Sequence, residues 1–448
     1  MIKLHFLGGV REVGRSSIEV NVDENMNIIL DCGINPGGEK EHRYPLQPSY
    51  HPNYIIVTHA HLDHSGYVPI MAKKYQTKIL ATPPTQDISE ILFLDMIKIE
   101  KERNTEIEFD SRDVTKLRKV NVDIRYRVPY NLSSSNTPVK MIMFNAGHIL
   151  GSSMVYLKIN KKGILYTGDF CMSNTRTLQM VDLDLPPINT LIIESTYSSP
   201  SDRRIGREKI EKEFIRTIND IYKRGGKALV AVFAVGRAQE VQLVLEAYMR
   251  SKAIPRMSIY LGGLVTKINR KYKLFWEWLK PEIQKQIRYT YHSPLESKFF
   301  TIIKNRSKPL KAEEPIIIVV PSGMLQGGLA LYYFKHLAQN SKNAIILTGY
   351  QIPGTIGRKL LDGEKEITMN GKKVEVRAEI KNFEFSAHSD VVGLFRFISH
   401  VKEKNSNLEN IILVHGEEEK QLVFAKKIEE RLKNVNVYVP KLDETIEI

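Results

Sequence analysis

The segment His59-Ala-His61-Leu-Asp63-His64 places four side chains that can bind a metal within six residues, directly after the apolar run Tyr54-Ile-Ile-Val-Thr58. Four ligands so close together cannot share one face of a strand or helix, so we expect a strand end that turns into a helix, where successive side chains fan around one point. Imidazole nitrogens and a hard carboxylate oxygen together favour zinc over manganese or iron. Cys32 and Cys171 are the only cysteines, which excludes a disulfide framework and a thiolate zinc knuckle.

Further candidate ligands stand where other predicted strands end. They are Asp31 in Leu-Asp-Cys-Gly, His148 in Gly-His-Ile-Leu-Gly, Asp169 in Thr-Gly-Asp-Phe and His415 in Val-His-Gly-Glu. For Asp31 alone, a turn-forming aspartate before a glycine is an open alternative. The sequence therefore predicts a metal centre built from histidine and carboxylate side chains.

The elements that must position these residues change in character along the chain. From Met1 to about Ser198, short β-type runs are separated by turns, which favours one sheet packed on another. From about Ile205, a pattern of strand, glycine-bearing loop and helix repeats, which favours an open, mostly parallel sheet with helices on its faces. Near Phe385 the chain leaves this repeating pattern. We therefore predict one domain, residues 1–198 and 385–448, interrupted by a second domain, residues 199–384.

Length and composition limit the classes of protein. The 448 residues allow two or three domains, and 42% hydrophobic and 26% charged residues are ordinary for a globular protein. Apolar runs such as Ile316 to Val320 are far shorter than the roughly 18 residues of a membrane span, so we expect no membrane partner. Lys3 and His5 interrupt the first apolar residues, so the start predicts a strand rather than an export signal and favours a cytoplasmic location.

Positive charge is concentrated in the predicted inserted domain. The whole chain carries a formal charge of +14, and residues 199–384 contain 34 Lys and Arg against 18 Asp and Glu, a net +16. The remaining residues contain 31 against 33, a net −2. Basic residues gathered in one segment suit a polyanion, because contacts with phosphates release condensed counterions. A solvated lysine-rich exterior is the alternative interpretation.

These motifs resemble the successive motifs of the metallo-β-lactamase superfamily: Asp31, then the His-x-His-x-Asp-His signature, then His148 and Asp169. Glu194, His388 and His415 resemble the three later motifs of its β-CASP branch, which cleaves nucleic acids. Three longer segments support the resemblance: Gly9–Arg15, Val232–Glu240 and Gly349–Thr355. Within the branch, the motifs are more similar to the nuclease subunit of the cleavage and polyadenylation specificity factor and its archaeal relatives than to RNase J.

The resemblance implies an α/β fold in which an αββα metallo-β-lactamase sandwich is interrupted by a β-CASP domain with a mostly parallel sheet flanked by helices. It implies two zinc ions per chain. One would be held by His59, His61 and His148, the other by Asp63, His64 and His415, with Asp169 bridging them. Asp31 would orient these ligands from behind.

The implied activity is hydrolysis of phosphodiester bonds in single-stranded RNA, endonucleolytic with an added 5′ to 3′ exonuclease activity, in which Asp63, His388 and Glu194 take part in catalysis. His388 would be the general acid, and Glu194 would hold it protonated. Three loops that precede helices are candidates for binding RNA phosphates, through Arg237, Ser322 and Arg358. The resemblance leaves open a homodimer and RNA-processing partner proteins.

Several other functions compete with this interpretation. A purely 5′ to 3′ exoribonuclease of the RNase J type would share every motif. A small-molecule hydrolase of the superfamily would have no use for the basic insertion, and a β-CASP DNA nuclease usually has valine where His415 stands. A noncatalytic RNA-binding scaffold would have lost metal ligands, whereas every ligand position is filled here.

Overall fold

The chain divides into two compact units in a computed structural model that describes residues 1–36, 40–105, 107–133, 137–352, 354–369 and 371–448. Unit 1 comprises Met1–Asn174, Gln179–Arg203 and His388–Ile448, and unit 2 comprises Thr175–Leu178 and Arg204–Ala387. These limits lie a few residues beyond the predicted boundaries after residues 198 and 384. Pro353, within the Gly349–Thr355 motif, lies outside the described residues.

The short segment Thr175–Leu178 belongs to unit 2 although the chain on either side of it belongs to unit 1. The backbone N–H groups of Arg176 and Thr177 each donate to the carboxylate of Glu240, at 2.8 Å. Glu240 is buried, and these bonds satisfy a charge that would be costly to bury alone. Contacts with a distant carboxylate therefore help to place this segment in unit 2, an assignment that the sequence prediction did not include.

The first part of unit 1 contains β1 (Lys3–Gly8), β2 (Ser17–Asp23), β3 (Met26–Leu30), α1 (Lys40–Arg43), β4 (Tyr54–Ile56), α2 (Leu62–Ser65), α3 (Val68–Tyr75), β5 (Lys78–Ala81), α4 (Pro83–Arg103), α5 (Ser111–Lys116), β6 (Asn121–Asp123), β7 (Tyr130–Leu132), β8 (Val139–Asn145), β9 (Ser153–Ile159), β10 (Lys162–Tyr166) and β11 (Thr190–Glu194). Unit 2 contains α6 (Arg207–Lys223), β12 (Ala228–Ala231), α7 (Arg237–Arg250), β13 (Ser258–Leu261), α8 (Val265–Leu274), α9 (Pro281–Thr290), β14 (Phe300–Ile302), β15 (Ile316–Val320), α10 (Gly328–Leu337), β16 (Ala344–Leu347), α11 (Ile356–Leu361), β17 (Glu366–Met369), β18 (Lys372–Glu375) and β19 (Glu379–Asn382). Unit 1 ends with α12 (Val391–Lys404), β20 (Asn410–Val414), α13 (Glu418–Arg431), β21 (Asn436–Tyr438) and β22 (Thr445–Glu447).

Unit 1 is built from two seven-stranded sheets packed face to face. Their strand orders are β22-β1-β2-β3-β4-β5-β6 and β21-β20-β11-β10-β9-β8-β7. Because side chains alternate along a strand, Ile28 and Leu30 of β3 enter the core between the sheets, while Ile29 packs on the outer side against residues of α3 and α4. Strands β11 and β20 likewise place Ile193 and Leu413 against α12 and α13. Burial on both faces explains why these strands are continuous apolar runs.

Unit 2 has a six-stranded sheet in the order β14-β13-β15-β12-β16-β19, with every pair parallel, and a separate antiparallel pair formed by β17 and β18. The central strand β15 has the sequence Ile-Ile-Ile-Val-Val and is buried throughout. Apolar cores lie on both sheet faces, with Ile317 and Val319 in one and Ile316 and Ile318 in the other. The predicted fold class is confirmed, with a two-sheet domain and a parallel sheet flanked by helices. In the described ranges, no helix is both long enough and apolar enough to cross a membrane.

His5 of β1 connects the first sheet to the end of the chain and gives unit 1 a pH-dependent stability. Its Nδ1 lies 2.9 Å from Glu19 and its Nε2 lies 2.9 Å from Asp443. Burial lowers the pKa of His5, but the hydrogen bonds to Glu19 and Asp443 outweigh it and raise the pKa above its ordinary value. We expect the resulting stabilisation to be complete below the unfolded pKa, near 6.5, and to be lost as the pH rises through the folded pKa.

Thermal unfolding between pH 5 and pH 9 measures this effect. The difference in Tm between the wild type and His5→Gln should be largest at pH 5 and should shrink as the pH rises. His292 is exposed, so His292→Gln serves as the control for replacing a histidine with glutamine. A His5→Gln difference that grows towards high pH would contradict the assigned direction.

Candidate metal centre

The candidate metal ligands gather because they follow strands whose ends meet at one edge of each sheet. In the first sheet, β3 and β4 are parallel, and Asp31 and His59 lie just beyond their carboxyl ends. In the second sheet, β10, β11 and β20 are parallel, and they are followed or ended by Asp169, Glu194 and His415. Parallel strands bring their carboxyl ends to the same edge, so residues far apart in sequence become neighbours.

The His59–His64 segment leaves β4 and enters α2, as its spacing predicts. His61 stands just before the helix with an extended backbone, Asp63 lies in the first turn and His64 in the last. His59 and His64 are completely buried, while His61 and Asp63 are partly exposed. The turn into the helix lets these side chains point towards one small volume.

Two groups of ligands share this volume. The first ligand group is His59, His61 and His148, which together with Asp169 offer ligand atoms within 4.8 Å of one another. Nδ1 of His61 lies 3.1 Å from Nε2 of His148. The second ligand group is Asp63, His64 and His415, in which Nε2 of His415 lies 3.7 Å from Oδ2 of Asp63.

Asp169 lies between the two ligand groups and offers one oxygen to each. Its Oδ1 is 3.3 Å from Nε2 of His64 and 3.8 Å from Nε2 of His415. Its Oδ2 is 3.5 Å from Nε2 of His59 and 3.6 Å from Nε2 of His148. This buried carboxylate therefore faces both ligand groups at once.

The ligand atoms fit a metal because their hydrogen-bonding capacity is unused. Nε2 of His59, His61 and His64 and Oδ1 of Asp169 are buried and have no hydrogen-bond partner among the described residues. Buried polar atoms of proteins nearly always have partners, and Nε2 of His59 and of His64 meet at the two oxygens of Asp169, so these unused atoms indicate a cation site. This donor set of nitrogen and carboxylate oxygen suits zinc.

The protonation states of the cluster also suit a metal. Burial lowers the pKa of His59 well below its ordinary value and that of His61 to about 4, so both rings are neutral ligands at pH 7. Burial alone would raise the pKa of Asp169, but the positive charges of His64, His388 and His415 hold it well below its usual range. Burial lowers the pKa of His64, yet Asp169 and Asp31 raise it further, so this ring must release a proton when a metal binds.

Asp31 stands behind the second ligand group. Its Oδ2 lies 2.7 Å from Nδ1 of His64, and its Oδ1 accepts the Thr58 backbone N–H at 2.7 Å. Its backbone is left-handed, with φ of 58°, a conformation that aspartate tolerates. Asp31 therefore combines an unusual backbone conformation with a carboxylate that contacts a candidate ligand.

Glu194 and His388 form a pair beside the ligand groups. Nδ1 of His388 lies 3.0 Å from Oε2 of Glu194, and Nε2 of His388 lies 3.7 Å from Oδ2 of Asp169. Glu194 is buried and accepts the backbone N–H of Phe170 at 3.0 Å. This arrangement leaves the far nitrogen of His388 on the side of the metal centre.

Sequence reasoning missed the hydroxyl groups that contact the far sides of the ligands. Thr58 and Tyr166 both contact Asp31, and Ser16 contacts His415. Thr58 directly precedes His59, and Tyr166 precedes Thr-Gly-Asp169. Their position next to ligand motifs was the sequence feature that could have pointed to them. For Ser16 that signal was weaker, because it follows the Gly9–Arg15 segment.

The candidate phosphate-binding residues lie in unit 2, at loops that follow the neighbouring parallel strands β12, β15 and β16. The Arg237 guanidinium lies 4.5 Å from the Phe233 ring centre, and its buried NH1 has no hydrogen-bond partner in the part of the chain that the structure describes. A side chain on Gly349 would come within 2.4 Å of that NH1, and its φ of 139° is one that other residues rarely adopt, so glycine suits this position. Ser322 accepts a long bond of 3.4 Å from Gln326, and Arg358 pairs with Asp362 at 2.9 Å.

Three family models match the chain. A metallo-beta-lactamase superfamily domain matches residues 20–194, a Beta-Casp domain matches residues 238–360, and a Zn-dependent metallo-hydrolase RNA specificity domain matches residues 373–440. A solved structure of a protein of unknown function from Enterococcus faecalis V583 has a TM-score of 0.58 over 99% of both chains at 13% identity, which shows a shared fold.

Curated relatives match nearly the whole chain. The transcription termination factor FttA of Methanocaldococcus jannaschii is 37% identical over 455 residues, covering 98% of this chain and 70% of its own length. An RNase J-like protein of the same organism is 36% identical over 441 residues, covering 98% of both chains. The FttA of Pyrococcus abyssi is 35% identical over 452 residues, covering 95% of this chain and 68% of its own length. The chain therefore belongs to the β-CASP family of metal-dependent ribonucleases within the metallo-β-lactamase superfamily.

Proposed function

We propose that this chain binds two zinc ions and cuts single-stranded RNA internally, leaving a 5′ phosphate and a 3′ hydroxyl. The observation that carries the proposal is Asp169, whose two oxygens face two separate ligand groups. A 5′ to 3′ exonuclease activity at the same centre is part of the proposal. A purely 5′ to 3′ exoribonuclease is the alternative, and the relative named RNase J-like, which is matched over 98% of both lengths, favours it.

The two ligand groups define which residues would hold the ions. The first zinc ion would be held by His59, His61 and His148, the second by Asp63, His64 and His415, and Asp169 would contact both. When bound, such a pair lowers the pKa of a water molecule towards 7 and stabilises negative charge on phosphoryl oxygens. The contribution of the chain is to hold these side chains at rigid strand ends, buried and with the correct nitrogen facing inwards.

The chain itself supplies the proton that the leaving 3′ oxygen needs. A carboxylate beside an imidazole favours the protonated ring, and Glu194 contacts Nδ1 of His388 with both oxygens, at 3.0 and 3.1 Å. Nε2 of His388 would then donate its proton to the leaving oxygen as a general acid. Because Phe170 donates to Glu194, the carboxylate is held in place and in turn fixes the orientation of the His388 ring.

Linear and circular RNA distinguish the two modes of cleavage. Purified protein is incubated with an unstructured labelled RNA in circular form and in 5′-monophosphorylated linear form, with zinc or with a chelator. We expect the circle to be opened in zinc and to stay intact in chelator. Cleavage of only the linear RNA, progressively from its 5′ end, would establish the alternative. Asp63→Ala is the inactive control, and equal activity of this variant would refute the proposal.

Arg237 is the candidate phosphate contact that begins α7, after the loop that follows β12, and Arg358 is its matched control because Asp362 already pairs with it. We expect Arg237→Ala to weaken single-stranded RNA binding by about fivefold to tenfold and to reduce the slope of log K against log salt by about 0.7, the value for one phosphate contact. Arg358→Ala should have a smaller effect on both quantities. Fluorescence anisotropy at several salt concentrations measures them, and a larger effect for Arg358→Ala would contradict the assignment.

A further inference from the structure

Three histidines of the proposed metal centre have a specific oxygen partner for the ring nitrogen that faces away from the centre. Nδ1 of His59 lies 3.0 Å from Oγ1 of Thr58, Nδ1 of His64 lies 2.7 Å from Asp31, and Nδ1 of His415 lies 2.8 Å from Oγ of Ser16. A bond at one ring nitrogen decides which tautomer is present and which nitrogen keeps the lone pair that a metal requires. The direction of each bond therefore matters.

Asp31 determines these directions for two of the histidines. It is completely buried and receives the Thr58 backbone N–H on Oδ1, and the hydroxyls of Thr58 and Tyr166 on Oδ2 at 2.9 and 2.8 Å. Nδ1 of His64 contacts the same Oδ2. An ionised carboxylate only accepts hydrogen bonds, so His64 must carry its proton on Nδ1. In the neutral ring, Nε2, which lies 3.3 Å from Oδ1 of Asp169, is then the nitrogen with the lone pair.

The Thr58 hydroxyl transmits this constraint to His59. A hydroxyl has one proton, and the proton of Thr58 is donated to Asp31. The short contact between Oγ1 of Thr58 and Nδ1 of His59 is therefore satisfied only if His59 donates. Nε2 of His59, which faces Asp169 at 3.5 Å, is then the nitrogen with the lone pair.

We infer that Thr58 is a positioning residue whose hydroxyl connects the two ligand groups through Asp31, so that one buried carboxylate fixes the metal-binding tautomer of His59 in the first group and of His64 in the second. Ser16 contacts His415 outside this chain of bonds. The inference rests on the two-metal centre proposed above, and it assigns to Thr58 a role in the affinity of the first zinc ion.

Thr58 also has a packing role, which the test must separate from its hydrogen bonds. A side chain on Gly168 would lie 2.7 to 2.9 Å from the Thr58 side chain, so Thr58 fills the space beside that glycine. Thr58→Val keeps this volume and removes the hydroxyl, whereas Thr58→Ser keeps the hydroxyl and removes the methyl group. The hydroxyl, and not the side-chain volume, supports zinc binding only if Thr58→Val weakens zinc affinity and Thr58→Ser does not.

The test measures zinc affinity of metal-free protein by competition with a chromophoric chelator, in backgrounds that keep one ligand group each. His415→Ala disables the second ligand group and His148→Ala the first. We expect Thr58→Val to weaken the remaining zinc site by about 10-fold to 100-fold in the His415→Ala background, the range for lost partners of metal ligands. In the His148→Ala background the loss should be below about threefold, since His64 keeps its own bond to Asp31. In both backgrounds, the Thr58→Ser variant should bind zinc as tightly as the protein that retains Thr58.

Other outcomes overturn the inference or the proposed function separately. Equal losses in both backgrounds, no loss in either, or a Thr58→Ser variant as weak as Thr58→Val would overturn the role of the hydroxyl. Thermal unfolding of the metal-free variants checks that each one folds. If the unmodified protein itself fails to bind two zinc ions, the proposed function fails, whatever Thr58 does.

Discussion

Asp169→Asn is expected to lower kcat for RNA cleavage by about 10³-fold or more and to reduce the zinc content of the purified protein below two per chain. The two oxygens of Asp169 face Nε2 atoms of both ligand groups at 3.3 to 3.8 Å. The amide keeps the size of the side chain but removes its negative charge and presents hydrogens to one of the groups. Loss of a shared ligand costs several kcal/mol of transition-state stabilisation, at about 1.4 kcal/mol per tenfold in rate.

Elemental analysis and single-turnover cleavage of labelled RNA measure the two effects on the same preparation. Asp184→Asn is the matched control, because Asp184 is 92% exposed and pairs with Arg127 at the surface. It should retain both zinc ions and full activity. An Asp169→Asn protein with two tightly bound ions and undiminished cleavage would show that the carboxylate does not bridge them.

The clustering of the candidate ligands could be predicted because they follow apolar strands, and such strands can be recognised from composition. Asp31, Asp169 and His415 each stand directly after or close to a run of buried apolar residues, and parallel pairing brings those ends together. Even there, the end of β4 was predicted at Thr58 but lies at Ile56. The backbone N–H of Thr58 donates to the Asp31 side chain instead of to a neighbouring strand. The end of β4 therefore depends on a residue 27 positions away in the sequence.

Other features depend on contacts that no local pattern encodes. His388 follows no strand and precedes α12, so only the family resemblance pointed to it, and its pairing with Glu194 spans 194 residues. The Thr175–Leu178 segment joins unit 2 through Glu240, more than 60 residues away. Thr58 and Tyr166 stand near strand ends and have no distinguishing pattern in the sequence. Only the folded chain shows that their hydroxyls contact Asp31. In each case, tertiary contacts decide what local propensity leaves open.

His388→Ala is expected to lower kcat by about 10² to 10⁴-fold, the range for a lost general acid, while the protein keeps both zinc ions. Nε2 of His388 lies 3.7 Å from Oδ2 of Asp169, but Nδ1 is occupied by Glu194, and His388 is a member of neither ligand group. His388, Glu194 and Asp169 also lie close enough together to hold a cation themselves. Zinc content therefore separates the two roles, since a ligand variant loses metal and a general-acid variant does not.

A leaving group that needs no proton gives the sharper measurement. In an RNA whose scissile 3′ oxygen is replaced by sulfur, the leaving thiolate is stable without protonation, so His388→Ala should cleave this substrate almost as fast as the unmodified protein. Glu194→Gln keeps the shape of the pair but removes the charge that favours the protonated ring, so its activity should decline at a lower pH than that of the wild type. His51 is exposed, and His51→Ala should cleave both substrates normally. If the sulfur substrate does not restore the His388→Ala rate, proton donation is not the step that His388 serves, because a general acid is dispensable whenever its proton is not needed.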